Sequence, residues 1–521
     1  MKQKNEILYQ AANASQKGLP VLLRKAAINY ENVQEETLLD ILACAQNSEF
    51  GKKYRFDKMK SADDFRKNVP ITEFNDYRNY IERMKKGEEN VLYDGKTLSF
   101  VMTSGTTGGE KYIPESPRGE LVKKIVSNMR TLEMIRCCPE AMLPDKKILA
   151  ITNLAVYNKT EGGIPVGSAS GQAAGADAAA AEKLVLPPVL LTAAELELET
   201  VDYLSVLFSI ANRNVIALIC NNVAHFEILL KLLNSRFDSF VSDIRSGTIS
   251  VEISDKLRAE LMKSWKADAR RAEELEKIYQ QKGSLTTEDI WTGFKFVSCW
   301  LSSDVGRIAK ELRGLFPKNT MFFDWGYGAS EGKFNVPVQP DQSGGLVAGF
   351  GYFFEFLPIG GKDPILLKDT IDGEMYELIF TTYSGLYRYN IHDIVKISDN
   401  NDGSKSMEFV CKASDKLVLG GKELYSVYLT DIVESYEKAN NTTIRLFQGE
   451  NLNESLQLYI EPVDKNIDKT GFEAYMKAEL NKIGILLAGV EWKESGYRNA
   501  LFNKRVSAGK TINQTKLRIF I

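Results

Sequence analysis

The chain predicts an α/β fold, with a large multi-layer N-terminal domain whose β-sheets are flanked by helices and a smaller α/β domain behind it. Three observations carry this. The runs Lys147–Thr152 (KILAIT), Val215–Cys220 (VIALIC) and Lys295–Trp300 (KFVSCW) are short, apolar and bounded by polar residues, with helical stretches between them, as parallel strands buried on both faces would be. After Asp363 the strand-like pieces shorten and become glycine-punctuated, and Glu374–Thr382 (EMYELIFTT) alternates, which predicts an antiparallel, half-exposed sheet. From Lys412 onward helix and strand mix again, as in Leu456–Glu461 (LQLYIE) and a helix over Gly471–Ile483, which places a boundary between residues 1–411 and 412–521. At 521 residues the chain is too long for one simple core.

The elements follow in order. Residues 1 to about 90 are helical in pattern, with apolar residues three and four apart in Thr37–Cys44 (TLLDILAC) and Phe74–Arg83 (FNDYRNYIER). Pro70–Thr72 marks an extended crossing between helices. A short strand, Leu98–Met102 (LSFVM), then leads into a glycine-rich loop. Gly162–Ala181, rich in glycine, alanine and serine, reads as a mobile loop, a close backbone approach to a substrate, or a tolerant surface loop. Asp255–Gln281 is densely charged with Leu257, Leu261, Trp265, Ala272 and Leu275 on one stripe, the pattern of a single solvated amphipathic helix.

Composition excludes several classes of function. A net charge of −3 without a basic stripe leaves no electrostatic footprint for nucleic acid. No segment approaches the roughly 18 uninterrupted apolar residues of a membrane span, and no stretch of signal length follows Met1. Six scattered cysteines, without CxxC spacing, point to a reduced cytoplasm. With only His225 and His392 in the chain, a histidine zinc site or a Ser-His-Asp triad has little to draw on. His225 sits in an apolar helical context and reads as packed or capping.

Three segments carry chemistry. Thr103–Lys111 (TSGTTGGEK) interleaves hydroxyls with glycines and ends in a lysine, which suits a polyphosphate because backbone N–H groups, hydroxyls and an ammonium converge; its spacing is not that of the Walker loop, and such a run is also an ordinary surface turn. Trp325–Glu331 (WGYGASE) follows the apolar run Thr320–Asp324, a buried strand ending in a tight turn that presents a hydroxyl and a carboxylate. Gly385–Lys396 (GLYRYNIHDIVK) alternates and then places Asp393 at the start of a strand-like piece, Ile394–Ile397, where an acid suits ribose hydroxyls.

In this order the three segments resemble the nucleotide-binding motifs of the acyl-acid amido synthetases of the auxin-responsive-promoter family, a branch of the adenylate-forming superfamily to which acyl-CoA synthetases and firefly luciferase are distantly related. The family's SSGTSGGE, YASSE and YRxGD stand here as TSGTTGGE, YGASE and YRYNIHD, and Gly509–Arg518 (GKTINQTKLR) is similar to its NQYKxPR segment. The chain departs from the family at His392, where the relatives have glycine, and in Phe409–Leu424, which lacks the common GRxD order.

The resemblance implies the adenylate-forming fold, ATP and Mg²⁺ as cofactors, and a small carboxylic acid and an amino acid as partners. It implies that Thr103, Ser104, Thr106 and Thr107 bind phosphate, that Tyr327 and Ser330 line the adenylate, that Glu331 positions Mg²⁺, that Asp393 holds the ribose, and that Lys516 neutralises charge on the reacting oxygens. It also implies that the 412–521 domain is mobile, with the Gly420–Gly421 pair available to absorb a rotation. Each residue has a structural alternative: Tyr327 in the core, Ser330 as a turn hydroxyl, Glu331 as a helix N-terminal acid, Asp393 as a strand-end cap, Lys516 as a solvated terminal lysine. Arg388, beside two tyrosines, reads as packing. An acyl-CoA ligase and a non-catalytic nucleotide- or acyl-binding relative remain open.

Overall fold

The computed structural model describes residues 5–103, 111–151, 156–167, 182–191, 196–464, 466–507 and 518–521. It divides into two compact units, one made of Met1–Ser302, Ile308–Ile391 and Lys396–Glu408, the other of Ser303–Arg307, His392–Val395 and Phe409–Ile521.

The first unit opens with helices α1 (Glu6–Asn13), α2 (Leu19–Ile28), α3 (Tyr30–Ala43), α4 (Glu49–Tyr54), α5 (Ala62–Asn68) and α6 (Phe74–Lys85), as the apolar spacing predicts. Ser48 and Ser61 cap α4 and α5 by accepting the N–H of Gly51 and Asp64. The extended crossing after Pro70 bridges Thr72 to Tyr389. Strands β1 (Ser99–Thr103), β2 (Lys111–Glu115), β4 (Val156–Lys159) and β5 (Pro165–Gly167) form a sheet in the order β2-β1-β5-β4. Most of the Gly162–Ala181 stretch, residues 168–181, lies outside the described residues.

The three apolar runs are indeed neighbouring parallel strands. β3 (Lys147–Ile151), β6 (Val215–Cys220), β7 (Phe296–Cys299) and β8 (Met321–Asp324) pair in the order β3-β6-β7-β8, parallel throughout. Their apolar side chains join Leu204, Phe226, Phe240 and Trp291 of the surrounding helices in one core. His225 lies in this region, buried, with Nε2 2.8 Å from Asp202 Oδ1, in keeping with a packed role. The charged segment 255–281 is not one helix. It breaks into Asp255–Leu261 and Ala269–Lys282, because Asp268 caps the second by accepting the N–H of Arg271 and Trp265 turns inward to donate Nε1–H to Thr248 O at 2.9 Å. Its apolar stripe packs into the core, as the amphipathic pattern predicts.

A seven-stranded sheet contains β9 (Asn335–Val336), β10 (Gly345–Val347), β11 (Phe353–Pro358), β12 (Ile365–Leu366), β13 (Met375–Thr381), β14 (Tyr389–Asp399) and β15 (Lys405–Lys412), in the order β12-β11-β13-β14-β15-β10-β9. β13 pairs antiparallel with β11 as its alternation predicts, but Leu378–Thr381 are all buried, so this interior strand is not half-exposed. β14 begins at Tyr389, which places Asp393 in mid-strand rather than at a strand start.

The second unit has its own core, with Leu429, Val433, Phe447, Leu458, Phe472 and Met476 gathered between helices Ser426–Asn440 and Lys469–Lys482 and a sheet of β18 (Ile444–Leu452), β19 (Ser455–Pro462) and β20 (Leu487–Trp492). Gly420 and Gly421 do not lie in a loose linker. They form the two-residue turn between β16 (Lys416–Leu419) and β17 (Lys422–Tyr425), with φ of +56° and +77°, the positive values that a tight hairpin demands and glycine supplies. Among the described residues no helix is long and apolar enough to cross a membrane.

Candidate active site

Helix α7 (Pro117–Cys137) builds much of the site. Its start is set by Pro117 in the first turn and by Ser116, whose side chain accepts Gly119 N–H at 2.9 Å. Gly119 has to be glycine, since a Cβ there would lie 2.0 Å from Ser384 Oγ and 2.4 Å from Glu115 Oε1. Lys123, Ser127 and Arg130 follow at one-turn intervals on a single face. Lys123 Nζ pairs with the Glu115 carboxylate and donates to Ser330 O at 2.8 Å. Ser127 Oγ accepts from Lys333 Nζ at 2.6 Å. Arg130 donates to Tyr327 O at 2.7 Å and to Asn335 O at 2.9 and 2.7 Å, and burial pushes its guanidinium down to about 10. One polar side chain per turn therefore grips the second motif or the residues just after it.

That motif leaves β8 through Gly326, at φ +84°, where a Cβ would meet the Arg130 guanidinium at 2.7 Å. Tyr327 is buried, its ring 5.1 Å from that of Phe334, and its N–H donates to Asn335 Oδ1 at 2.8 Å. Gly328 bridges Lys333 and Ala329 exchanges hydrogen bonds with Gly332, so Ser330 and Glu331 occupy the tip of a tight hairpin and Glu331 does not start a helix. Glu331 is nonetheless buried, with the Tyr389 hydroxyl 3.4 Å from Oε1. At the end of β8, Asp324 accepts N–H groups from Leu301 at 3.1 Å and Gly344 at 2.8 Å; burial outweighs these donors and raises its carboxyl to about 6.

The first motif spans a hairpin. β1 and β2 pair antiparallel with Thr103 opposite Lys111, and the rest of the motif lies in sequence between those two residues. The side chain of Thr103 and all of Ser104, Thr106, Thr107 and Lys516 lie outside the described residues. The Lys111 ammonium stacks on the Phe74 ring, 5.3 Å from its centroid.

The third motif is clamped at its start. Thr72 donates its N–H to Arg388 O at 3.0 Å and accepts Asn390 N–H at 2.8 Å. Arg388 is an ion-pair residue rather than simple packing: Nε and Nη2 each lie 2.8 Å from the Glu355 carboxylate, and Nη1 donates to Arg66 O and Val69 O, both at 2.8 Å. In the second unit, His392 is exposed and has φ +57°, so the position where the relatives have glycine is one whose backbone favours glycine. Asp393 beside it is buried and paired with the half-exposed Lys412.

Sequence patterns missed Lys123, Ser127, Arg130, Asp324, Lys333 and Glu355. The one available signal was polar residues at one-turn spacing on α7, which looks like any half-wetted helix. Lys333 is the least conventional of these residues. It remains partly exposed, yet desolvation and the nearby charges of Arg130 and Lys123 lower its ammonium to about 7.

The parallel sheet, the hairpin-borne second motif and the separate small unit together define an adenylate-forming enzyme fold. Solved structures agree: an acyl acid amido synthetase superposes with TM-score 0.80 at 20% identity, covering 96% of this chain and 93% of that one, and a 2-hydroxyisobutyryl-CoA ligase with TM-score 0.54 at 12% identity, covering 95% and 89%. A jasmonoyl–L-amino acid synthetase of Nicotiana attenuata is 25% identical over 73% of this chain and 69% of its own length. An indole-3-acetic acid-amido synthetase of Arabidopsis thaliana is 23% identical over 78% and 71%. The GH3 family N-terminal domain matches residues 22–321 and the GH3 family central domain residues 346–412. The chain belongs to the GH3 family.

Proposed function

We propose that this GH3 chain is an ATP-dependent acyl-acid amido synthetase, joining a small carboxylic acid to AMP and then passing the acyl group to the amine of an amino acid in the cytoplasm. The observation that carries this is Glu331, a buried carboxylate held at a hairpin tip by the Tyr389 hydroxyl, on the motif that Lys123 and Arg130 fix to α7. A carboxylate is a poor electrophile at neutral pH, and adenylation gives it a good leaving group while nucleotide binding holds the reacting atoms in line. An oxygen donor of this kind suits Mg²⁺, which needs only one or two carboxylates beside substrate phosphates; when bound, the ion would neutralise charge on those phosphates. Thr103, Ser104, Thr106 and Thr107 would bind phosphate, Tyr327 and Ser330 would line the adenylate, and Asp393 would hold the ribose after exchanging Lys412 for it. Lys516 would stabilise the oxygens of the adenylation transition state, carried there by a mobile 412–521 domain.

The test is acid-dependent exchange of pyrophosphate into ATP, followed by amide formation with amino acids against thioester formation with coenzyme A. Wild type should exchange and then favour amines. Glu331→Ala should lose at least a hundredfold in exchange with its unfolding midpoint unchanged, and exchange within a few fold of wild type would overturn the assignment of Glu331.

A further inference from the structure

Lys333 stands two residues beyond Glu331 on the same hairpin, and nothing in the proposed adenylation chemistry uses it. Its backbone N–H is taken by the Tyr352 hydroxyl at 2.9 Å, and its ammonium has a single hydrogen bond among the described residues, to Ser127 Oγ at 2.6 Å. Ser127 lies one turn from both Lys123 and Arg130, so three cationic side chains share one small region between α7 and the hairpin. Besides Glu331 on the hairpin itself, two carboxylates border this region, and both are engaged. Glu115 on β2 holds Lys123 and accepts Ser384 Oγ–H at 2.7 Å, while Asp324 on β8 accepts the backbone N–H groups of Leu301 and Gly344. Among the described residues Lys333 therefore has no acidic partner. A half-buried ammonium beside two other cations is unfavourable alone, and an arriving anion removes the penalty.

We propose that Lys333, aimed by Ser127, binds an anionic oxygen group of a substrate of this site: a second carboxylate on the acyl acid, or a phosphate of the nucleotide. This rests on the amido synthetase reading. A hydroxyl partner supports it, since Ser127 fixes the ammonium without neutralising it and leaves its other donors for a ligand.

The experiment compares wild type with Lys333→Met, which keeps the reach and loses the charge, and with Ser127→Ala, which keeps the charge and loses the aim. Binding of ATP and of acid pairs that differ only in a terminal methyl or carboxylate (hexanoate and adipate, phenylacetate and 4-carboxyphenylacetate) is measured by calorimetry, with pyrophosphate exchange alongside. Lys333→Met should weaken one ligand class about tenfold or more and leave the other within twofold, with Ser127→Ala weakening the same class by less. Loss confined to ATP assigns the phosphate; loss confined to carboxylate-terminated acids, with their methyl counterparts unaffected, assigns the second carboxylate. Affinities for ATP and every acid within twofold of wild type in both variants overturn the proposal. If no acid supports exchange by wild type, the amido synthetase reading fails, and the calorimetric comparison still decides Lys333.

Discussion

Replacing Glu355 by glutamine should be among the most damaging single-atom changes in this protein. Glu355 lies on β11 with no exposed surface, and its carboxylate accepts from Arg388 Nε and Nη2 at 2.8 Å each and from Arg66 Nε at 3.1 Å. Arg388 is itself buried and holds a left-handed backbone, φ +47°, as a non-glycine residue. Glutamine keeps the shape but removes the charge, and its NH₂ group must face a guanidinium that has only donors to offer. Breaking a buried pair by removing one partner costs about 3–5 kcal/mol, because the other charge stays behind unpaired. Native stability of about 5–15 kcal/mol makes that a large fraction. Urea denaturation of Glu355→Gln should show a midpoint lowered accordingly with an unchanged slope, and the apparent KM for ATP should rise because Arg388 opens the third motif. A loss below about 1 kcal/mol would refute the reasoning by showing that solvent or another group compensates Arg388.

Three further outcomes follow from the geometry. His392→Gly relieves a left-handed residue worth roughly 1–2 kcal/mol and adds about 0.5–1 kcal/mol of chain entropy to the unfolded state; the unfolding free energy from urea titration should hold or rise by up to about 1 kcal/mol with ATP affinity intact, and a clear loss would mean the imidazole makes a contact that outweighs the strain. Asp393→Ala should raise the KM for ATP far more than the KM for the acid, and an equal rise in both would remove Asp393 from the ribose. Because burial lifts the Asp324 carboxyl to about 6, the folded state takes up a proton before the unfolded state does, so this group costs stability at pH 7 and the cost fades as pH falls from about 6 toward 4. The stability gap between wild type and Asp324→Asn should therefore shift in favour of wild type over that interval, whereas a pH-independent gap would contradict the raised carboxyl.

What was legible in the sequence was what is local. The three parallel strands declared themselves because a strand covered on both faces needs a continuous apolar run. The motif strings were visible because glycines and hydroxyls cluster within a few residues. Partnerships across distance were not visible: Glu355 and Arg388 are 33 residues apart, and neither looks unusual among its neighbours. Lys333 reads as a surface lysine until Ser127 and Arg130 are placed beside it. Two local signals misled for physical reasons. A charged amphipathic stripe continues through Met262–Asp268 although Asp268 starts a new helix there, and a Gly-Gly pair serves a hinge and a tight turn equally well, so only the flanking strands β16 and β17 decide.

Pairing Thr103 with Lys111 also determines which edits the first motif tolerates. The sheet holds the two ends of residues 104–110 together whatever lies between them. Closing a chain segment costs entropy that grows only with the logarithm of its length, about 0.6 kcal/mol for each doubling, so inserted residues would hardly alter the folding equilibrium. A single residue added to β2 between Ile113 and Pro114 is a different kind of change. It exchanges the faces of the strand and carries Lys111 off the Phe74 ring and Ile113 out of the core. Length is therefore open to revision between the two strands and closed inside β2.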